Sequence, residues 1–275
     1  MTKIDTISLG ATKKVQLLRA GTTHTDLLVG EAPLQITLNG RRFAVLMRTP
    51  STSESSDVDL VTGFLLSEGV IEDWDDFEAI GHCTDPSNPK KTNSVIVRLR
   101  SGCVLPDVFR EAKRATVVSS SCGVCGRMDL DELIPEFPSR PPFKKPAEDL
   151  IRSLPDRLRS TQRIFELTGG IHGAGLVDNA SGRILFTTED IGRHNAMDKL
   201  VGRALRLETN ELRGGIVVVS SRLSFDLVQK ALMAGVSTLV GVGAASDLAH
   251  ELAFTQGLHL FSFTKSSTTN YHLTT

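Results

Sequence analysis

The stretch 216-IVVVSSRLSFDLVQKALMAGVSTLVGVGAASDLAHELAFTQGLHLFSF-263 alternates short apolar runs with segments of helical periodicity. The run 216–219 is entirely apolar, which is typical of a parallel strand that is covered on both faces. Helices are predicted at 224–234, ended by Gly235, and at 246–256, and a strand is predicted after each of them. This βαβαβ order predicts right-handed crossovers and a layered α/β sheet.

The residues before this stretch extend the same pattern. A helical stretch across 147–166 precedes a predicted hairpin, whose strands at 174–178 and 183–187 flank turn residues. A helix with one apolar face then begins at about Arg193. The resulting order, α-β-β-α-β-α-β, is that of the cytidine-deaminase-like fold. We therefore expect a three-layer α/β/α domain over residues 147–275.

The first half has a mixed pattern. The pair Asn39-Gly40 favours the positive φ angles of a type I′ turn, which predicts a hairpin over 34–47. A helix containing Val58 and Phe64 is predicted next, with Ser56 or Asp57 as its cap and Gly69 at its stop. Strand-like runs follow at 94–100 and 115–120. We expect an α+β domain over 1–134 and, because 135–146 holds five prolines, a linker there.

Composition limits the class of protein. The chain has 275 residues, of which 40% are hydrophobic, enough for a substantial core. Its net charge of −1 gives no overall basic field to hold nucleic acid or an anionic membrane. The first residues lack an apolar signal core, and no run approaches the roughly 20 apolar residues of a membrane span. We expect a cytoplasmic protein with neither nucleic acid nor membrane as partner.

The stretch 119-SSSCGVCGR-127 places Cys122 and Cys125 three residues apart. Such a pair serves as half of a zinc site, a redox dithiol, a structural disulfide, or a persulfide carrier. Thiols in the cytoplasm stay reduced, which argues against the structural-disulfide hypothesis. The remaining cysteines, Cys83 and Cys103, are predicted to be small core residues.

Zinc chemistry has little support in this sequence. A zinc deaminase needs a catalytic Glu after its His or Cys ligand and a Pro-Cys-x-x-Cys at the next helix. Here 190-DIGRHNA-196 retains His194 without that Glu, and 220-SSRLSFD-226 has no cysteine. A structural zinc on the Cys-x-x-Cys pair needs two more ligands, and the adjacent His82 and Cys83 are a weak match. No metal site is predicted.

The residues around the two thiols favour movement over a poised redox disulfide. Gly123 and Gly126 permit a swinging loop, and Arg127 is close enough in sequence to favour thiolate over thiol if it turns inward. A sulfur carrier needs a loop that can move its thiol between donor and acceptor, and a thiol that is ionised to the thiolate. Cys122 follows the predicted strand directly and is the better anchored thiol, so we expect it to carry the sulfur while Cys125 assists or resolves.

Several polar groups gather where the α/β sheet is expected to bind ligands. His172 lies among four glycines in 169-GGIHGAG-175, which permit close backbone approach to a bulky anion. Arg193 and His194 sit at a helix start, where phosphate meets free backbone N–H groups. Ser220, Ser221 and Arg222 follow a buried strand at its carboxyl end. Turns, a core histidine and surface salt bridges are the alternative explanations of these residues.

The chain resembles the family of the formate dehydrogenase accessory sulfurtransferase FdhD. The resemblance rests on seven blocks in order: 31-EAPLQITLNG-40, 47-MRTP-50, 62-TGFLLSEG-69, 119-SSSCGVCG-126, 168-TGGIH-172, 189-EDIGRHNAMDKLVG-202 and 228-VQKALMAG-235. It implies a carrier that takes sulfur from a cysteine desulfurase and sulfurates bis-molybdopterin guanine dinucleotide, with molybdenum or tungsten, before insertion into the formate dehydrogenase catalytic subunit. It also implies a homodimer and recognition of guanine nucleotides such as GDP.

The resemblance extends to a set of site residues. Family members carry an arginine-rich, cofactor-holding segment after the last strand, whereas 263-FTKSSTTN-270 retains only Lys265 as a charge. The predicted thiol residues are Cys122 and Cys125. The predicted cofactor-binding residues are His172, Arg193, His194, Ser221, Arg222, Phe263, Thr264, Lys265, Ser266, Ser267 and Thr268. The rival hypotheses are a nucleotide-binding regulator on a degenerate deaminase fold and a zinc-stabilised assembly chaperone without sulfur chemistry.

Overall fold

The structure is a computed structural model, and it describes residues 10–51, 53–89, 91–103, 116–118, 137–139 and 143–273. Cys122 and Cys125 lie outside the described residues, as does part of the predicted linker. The division into two domains joined by that linker therefore stays a prediction.

The first half is built on strands. Those described there are β1 (Thr12–Arg19), β2 (Thr22–Val29), β3 (Ala32–Leu38), β4 (Arg41–Arg48), β5 (Phe77–His82), β6 (Ser94–Leu99) and β7 (Thr116–Val118). β1 and β2 form an antiparallel ribbon of their own. The others form a sheet in the order β5-β6-β3-β4-β7. The predicted hairpin over 34–47 is confirmed, with positive φ at both Asn39 (47°) and Gly40 (79°), as a type I′ turn requires.

Helix α1 (Glu54–Ser67) follows this hairpin, and its first turn differs from the prediction. The cap position belongs to Ser53, so neither Ser56 nor Asp57 caps the helix. Asp57 is instead buried and receives two hydrogen bonds from the guanidinium of Arg48, both 2.9 Å long. The local sequence favoured a capping role for Asp57, but its carboxylate is bound by Arg48, the buried arginine at the end of β4. The predicted stop is confirmed, since Gly69 has a φ of 68°.

The second half contains the α/β elements. They are α2 (Glu148–Thr161), α3 (Arg163–Thr168), β8 (His172–Val177), β9 (Ile184–Asp190), α4 (Arg193–Arg206), β10 (Ile216–Val219), α5 (Phe225–Met233), β11 (Thr238–Gly241), α6 (Asp247–Thr255), β12 (His259–Lys265) and β13 (Thr268–His272). The sheet order is β13-β12-β11-β10-β8-β9, and β10, β11 and β12 are parallel. The predicted βαβαβ order is confirmed.

Two predictions for this half are wrong in detail. The helical stretch across 147–166 is two helices, because the backbone leaves helical geometry at Gln162. The segment 263–270 does not follow the last strand. It forms the end of β12, a turn, and the start of β13, which pairs antiparallel with β12 at the sheet edge.

The sheet of the second half is covered on both faces, which gives three layers. Ile216 and Val218 pack in one cluster with Leu154 of α2. Their neighbours Val217 and Val219 face the opposite cluster, which holds apolar residues of α4, α5 and α6. A strand alternates its side chains between faces. The fully buried run 216–219 therefore contributes to two cores, and the predicted α/β/α layering is confirmed.

The two halves share one apolar core, formed where α1 packs on α4. A Cβ atom at Gly63 would overlap the carbonyl oxygen of Asp198, and one at Gly202 would overlap that of Asp59. The two helix backbones are therefore in direct contact at both places, which only glycine permits. The side chain of Asp198 adds a buried link, because it binds Lys230 of α5 at 2.8 Å and accepts a hydrogen bond from Ser67 of α1.

Candidate functional site

One edge of the α/β sheet gathers most of the predicted cofactor-binding residues. β10, β11 and β12 all end at this edge. Because β8 runs antiparallel to β10, its first residue, His172, lies there too, opposite Asp190 at the end of β9. The backbone of Gly173 is tied to Ser220 by two hydrogen bonds of 2.9 Å, one in each direction. The carboxyl edge is where open α/β sheets bind ligands.

A cavity of about 650 Å³ opens at this edge. Among the predicted residues it is lined by His172, Thr264, Lys265 and Ser266, and Ser220 also reaches it. Much of the remaining wall is apolar and comes from Leu158, Phe165, Ile171 and Val242. Its volume is that of an ordinary small-molecule pocket, and an apolar wall with a few polar groups is the usual composition of such a pocket.

His172 is half-buried in this cavity and is held in its neutral form. Burial lowers its pKa from the usual 6.5, and the nearby charges of Arg193 and His194 lower it further, with Asp190 opposing them. At neutral pH the ring therefore offers one donor and one acceptor nitrogen rather than a positive charge.

Gln162 is a lining residue that the sequence analysis missed. It is 3% exposed, and its Nε2 atom has no hydrogen-bond partner among the described residues. It lies against Gly173, where a Cβ atom would be 2.5 Å from that nitrogen. A buried donor without a partner costs free energy, so a ligand acceptor in the cavity would satisfy it. No local pattern in the sequence distinguished Gln162, which lies inside the single helical stretch predicted across 147–166.

A smaller cavity of about 240 Å³ lies along the same edge and is lined by Arg193 and Arg222. The Nε atom of Arg193 and the hydroxyl of Ser224, which also lines this cavity, are buried, and no described residue forms a hydrogen bond with either. Ser221 has a different role, because its hydroxyl donates to the carbonyl oxygen of Arg222 and lines neither cavity. The two predicted arginines thus lie together, whereas Lys265 lies in the larger cavity.

His194 and Asp226 stand at the two helix starts where zinc deaminases carry their metal ligands. Their Nε2 and Oδ2 atoms are 3.5 Å apart. The hydrogen bond with His194 lowers the pKa of Asp226 below its usual value, although burial opposes the shift. Within the described residues, no group of three or more His, Cys, Asp or Glu side chains is placed to hold a metal ion.

The predicted segment from Phe263 to Thr268 is divided between two environments. Phe263 has a φ of 50°, a left-handed conformation that is unusual for an aromatic residue, and its side chain is 47% exposed. Thr264 is buried and bonds Thr269 across the hairpin at 2.9 Å. Ser267 and Thr268 are exposed at the turn and line neither of the two cavities.

The strand that precedes the predicted thiols in the sequence, β7, belongs to the five-stranded sheet of the first half. β7 runs parallel to β4, with Val118 opposite Leu46. It therefore ends at the same side of the sheet as β4. Cys122 follows Val118 by four residues in the sequence and lies outside the described residues.

The residues weighed as additional zinc ligands have other contacts. His82 lies 3.5 Å from the carboxylate of Asp57, and the sulfur of Cys83 accepts a hydrogen bond from Asn88 at 3.5 Å. Cys83 and Cys103 are free thiols of intermediate exposure. The prediction that they are small core residues is wrong about their burial, because both are only partly buried, although Cys103 packs against the core.

Comparison with known proteins gives one consistent family. The profile of the FdhD/NarQ family matches residues 29–273. The sulfur carrier protein FdhD of Streptomyces avermitilis is 43% identical over 270 residues, which cover 94% of this chain and 92% of that protein. The protein of that name from Mycobacterium tuberculosis is 38% identical, covering 91% of each.

A solved structure has the same fold. A crystal structure of a formate dehydrogenase accessory protein from Desulfotalea psychrophila superposes with a TM-score of 0.71 at 22% identity, covering 95% of both chains. No helix in the described part of the chain is long and apolar enough to cross a membrane.

Proposed function

Because this chain belongs to the FdhD/NarQ family, we propose that it is a sulfur carrier required for formate dehydrogenase activity. It takes sulfur from a cysteine desulfurase and transfers it to bis-molybdopterin guanine dinucleotide, carrying molybdenum or tungsten, before the cofactor enters the catalytic subunit. The observation that carries this proposal is the pair Cys122 and Cys125 in a chain 43% identical to a protein named as a sulfur carrier.

The sulfur chemistry needs two thiols. The thiolate of Cys122 attacks the outer sulfur of a persulfide on the desulfurase, whose cysteine leaves as a thiolate, and the sulfur is then held as a persulfide on Cys122. Attack by the thiolate of Cys125 on the inner sulfur forms a disulfide and releases the outer sulfur as hydrosulfide for the cofactor. A thiol reductant then restores both thiols. We therefore propose Cys122 as the carrier, with Cys125 assisting or resolving.

The two cavities suit the guanine nucleotide ends of the cofactor. The larger cavity offers apolar walls, the unpartnered amide of Gln162 and neutral His172, a set suited to a planar base with several hydrogen-bonding atoms. Lys265 lines the same cavity, and Arg193 and Arg222 line the smaller one. These cations are the candidates to bind phosphate. The chain carries a net charge of only −1, so anion binding must rely on such local groups.

Arg159 adds a cation to the larger cavity that the sequence analysis did not identify. Its guanidinium lies 3.6 Å from the centroid of the Phe165 ring, and both residues line the cavity. Stacking on an aromatic face orients a guanidinium while leaving its N–H groups available. We assign Arg159 to the mouth of the nucleotide site.

Mass spectrometry tests the sulfur-carrier proposal. After incubation with a cysteine desulfurase and cysteine, we expect one added sulfur on the peptide that contains Cys122 and Cys125. Cys122→Ala should lose the adduct and fail to support formate dehydrogenase maturation, yet bind GDP as the wild type does. Cys83→Ala is the matched control and should keep the adduct.

The rivals give different outcomes in the same experiment. GDP binding without any sulfur adduct would favour a nucleotide-binding regulator, which the nucleotide-sized cavity also fits. Tightly bound zinc with no adduct would favour the assembly chaperone. Full maturation activity in Cys122→Ala would end the assignment of that thiol as carrier.

A further inference from the structure

A third cavity in the described part of the chain lies where the two halves meet, and neither the sulfur chemistry nor the nucleotide site uses it. Its volume is about 360 Å³. One wall comes from residues between β4 and the first turn of α1, namely Thr49, Pro50, Ser51, Ser53, Ser55 and Ser56. The facing wall contains Arg163 of α3 and Arg203 of α4, together with Lys199 and Arg206. It is a polar cavity rich in cations and hydroxyl groups.

Two of its four cations are already neutralised. The Nζ atom of Lys199 lies 2.6 Å from the carboxylate of Asp190 and donates to the carbonyl oxygens of Thr49 and Glu189 at 3.2 and 3.3 Å. These three contacts use all three protons of the ammonium group. Arg206 is paired with Asp59 through bonds of 2.6 and 3.2 Å. Neither cation has a charge left for a ligand.

The remaining acid of the cavity, Glu189, is also occupied. Its two carboxylate oxygens accept the backbone N–H groups of Ile164 and Phe165, both at 2.9 Å, at the start of α3. Burial raises its pKa, while these backbone hydrogen bonds act in the opposite direction. The carboxylate is thus directed at the helix start and forms no ion pair with the arginines among the described residues.

Arg163 and Arg203 are the cations that stay available. Neither forms an ion pair with any described residue. The guanidinium of Arg203 lies 4.7 Å from the centroid of the Phe186 ring, which holds it in place without using its N–H groups. Two guanidinium groups on one wall of a cavity repel each other unless an anion lies between them.

The opposite wall supplies hydrogen-bond donors. Ser53 is the N-cap of the 14-residue helix α1, but its side chain makes no capping hydrogen bond. Its hydroxyl is 2.7 Å from the hydroxyl of Ser55 instead. The first N–H groups of α1 are therefore not capped by this side chain, and Ser51, Ser53, Ser55 and Ser56 all line the cavity.

We propose that this cavity binds a phosphate group, held between the guanidinium groups of Arg163 and Arg203 and the serine-lined start of α1. Guanidinium groups pair with phosphate through two parallel N–H bonds, and serine hydroxyls and helix N–H groups complete such a site. The volume lies at the lower end of the range for small-molecule pockets, about 300 to 1,000 Å³, so the ligand is a phosphate with a small organic group rather than a dinucleotide. This assignment does not depend on sulfur transfer.

Calorimetry with two probes tests the site, namely inorganic phosphate and phenyl phosphate, titrated into the full chain at constant ionic strength. We expect both probes to bind, and phenyl phosphate to bind more tightly than inorganic phosphate because it carries an organic group. Arg163→Ala should weaken binding by about tenfold or more, the loss expected for a charge-assisted hydrogen bond. Arg163 is exposed, so its removal does not endanger the fold. Arg203→Lys keeps the charge, but it should also weaken binding because it removes the paired donors.

Two control variants separate this site from the nucleotide site. Arg152→Ala removes a cation that is already paired with Glu148 and Asp149 on the surface of α2, and it should leave both affinities unchanged. Lys265→Ala alters the larger cavity, so it should weaken GDP binding, and the loss of phosphate affinity caused by Arg163→Ala should be the same with and without it. The proposal is overturned if the wild type binds neither probe at 10 mM, if Arg163→Ala and Arg203→Lys bind as the wild type does, or if Lys265→Ala alone abolishes binding.

Discussion

Removal of Arg193 should weaken GDP binding and at the same time change the titration of His172. The Nε atom of Arg193 is buried at the wall of the smaller cavity and has no hydrogen-bond partner in the described part of the chain. A hydrogen bond from a charged group to phosphate contributes about 1.5–3 kcal/mol. Since about 1.4 kcal/mol corresponds to a factor of ten, Arg193→Ala should raise the dissociation constant for GDP by roughly tenfold to a hundredfold.

The second effect provides an internal control. The charge of Arg193 is one of the causes that lower the pKa of His172, after burial itself. Arg193→Ala should therefore raise the pKa of His172 toward its usual value, which NMR titration of the ring protons would show in the absence of nucleotide. Arg222 lines the same cavity but is exposed, so Arg222→Ala should cost less affinity.

Isothermal titration calorimetry at low and moderate salt would measure both variants, with Arg152→Ala as a charge-matched control on the surface of α2. Unchanged GDP affinity in Arg193→Ala and Arg222→Ala would place the phosphates elsewhere and refute the assignment. An unchanged pKa of His172 in Arg193→Ala would refute the electrostatic coupling between the two cavities.

Two further predictions concern stability. Asp198→Asn leaves the buried ammonium of Lys230 without its counter-charge and should lower the free energy of unfolding, measured by urea denaturation, by about 3–5 kcal/mol. Asp149→Asn, which breaks an exposed pair, should lower it by at most about 1 kcal/mol. Equal losses in the two variants would contradict the role of the buried pair. Because the folded pKa of His172 is below 6.5, its neutral form contributes stability that is complete above pH 6.5 and is lost as the pH falls below it. His172→Gln should therefore lose less stability than the wild type between pH 7.5 and 5, and parallel curves would show that His172 does not titrate in this way.

The elements with strong local patterns were predictable from the sequence. The run 216–219 is apolar at every position, which distinguishes a strand covered on both faces, and Asn39-Gly40 fixes the turn between β3 and β4 through backbone geometry alone. The position of Arg222 at this sheet edge followed from chain order, because it comes after the parallel strand β10, whereas His172 reaches the edge because β8 runs antiparallel to β10. The inferences about the strand, the turn and Arg222 needed no knowledge of distant contacts.

The features that were missed depend on contacts between residues far apart in the chain. Asp57 was assigned to a cap because the sequence does not show that Arg48 is buried beside it. The cavity between Arg163 and the serines before α1 joins residues more than 100 positions apart, and no local pattern signals it. β13 was missed because its polar residues become a strand only by pairing with β12 at the sheet edge.

The glycine contacts between α1 and α4 also fix the distance between the sheets of the two halves. At Gly63 and Gly202 backbone meets backbone, so neither helix can slide or rotate past the other without breaking the shared core. The end of β7 and the edge of the α/β sheet are consequently held at a fixed span by the interior of the protein, whatever the length of the proline-rich segment between them. A ligand that contacts both places at once must therefore be long enough to reach across that distance.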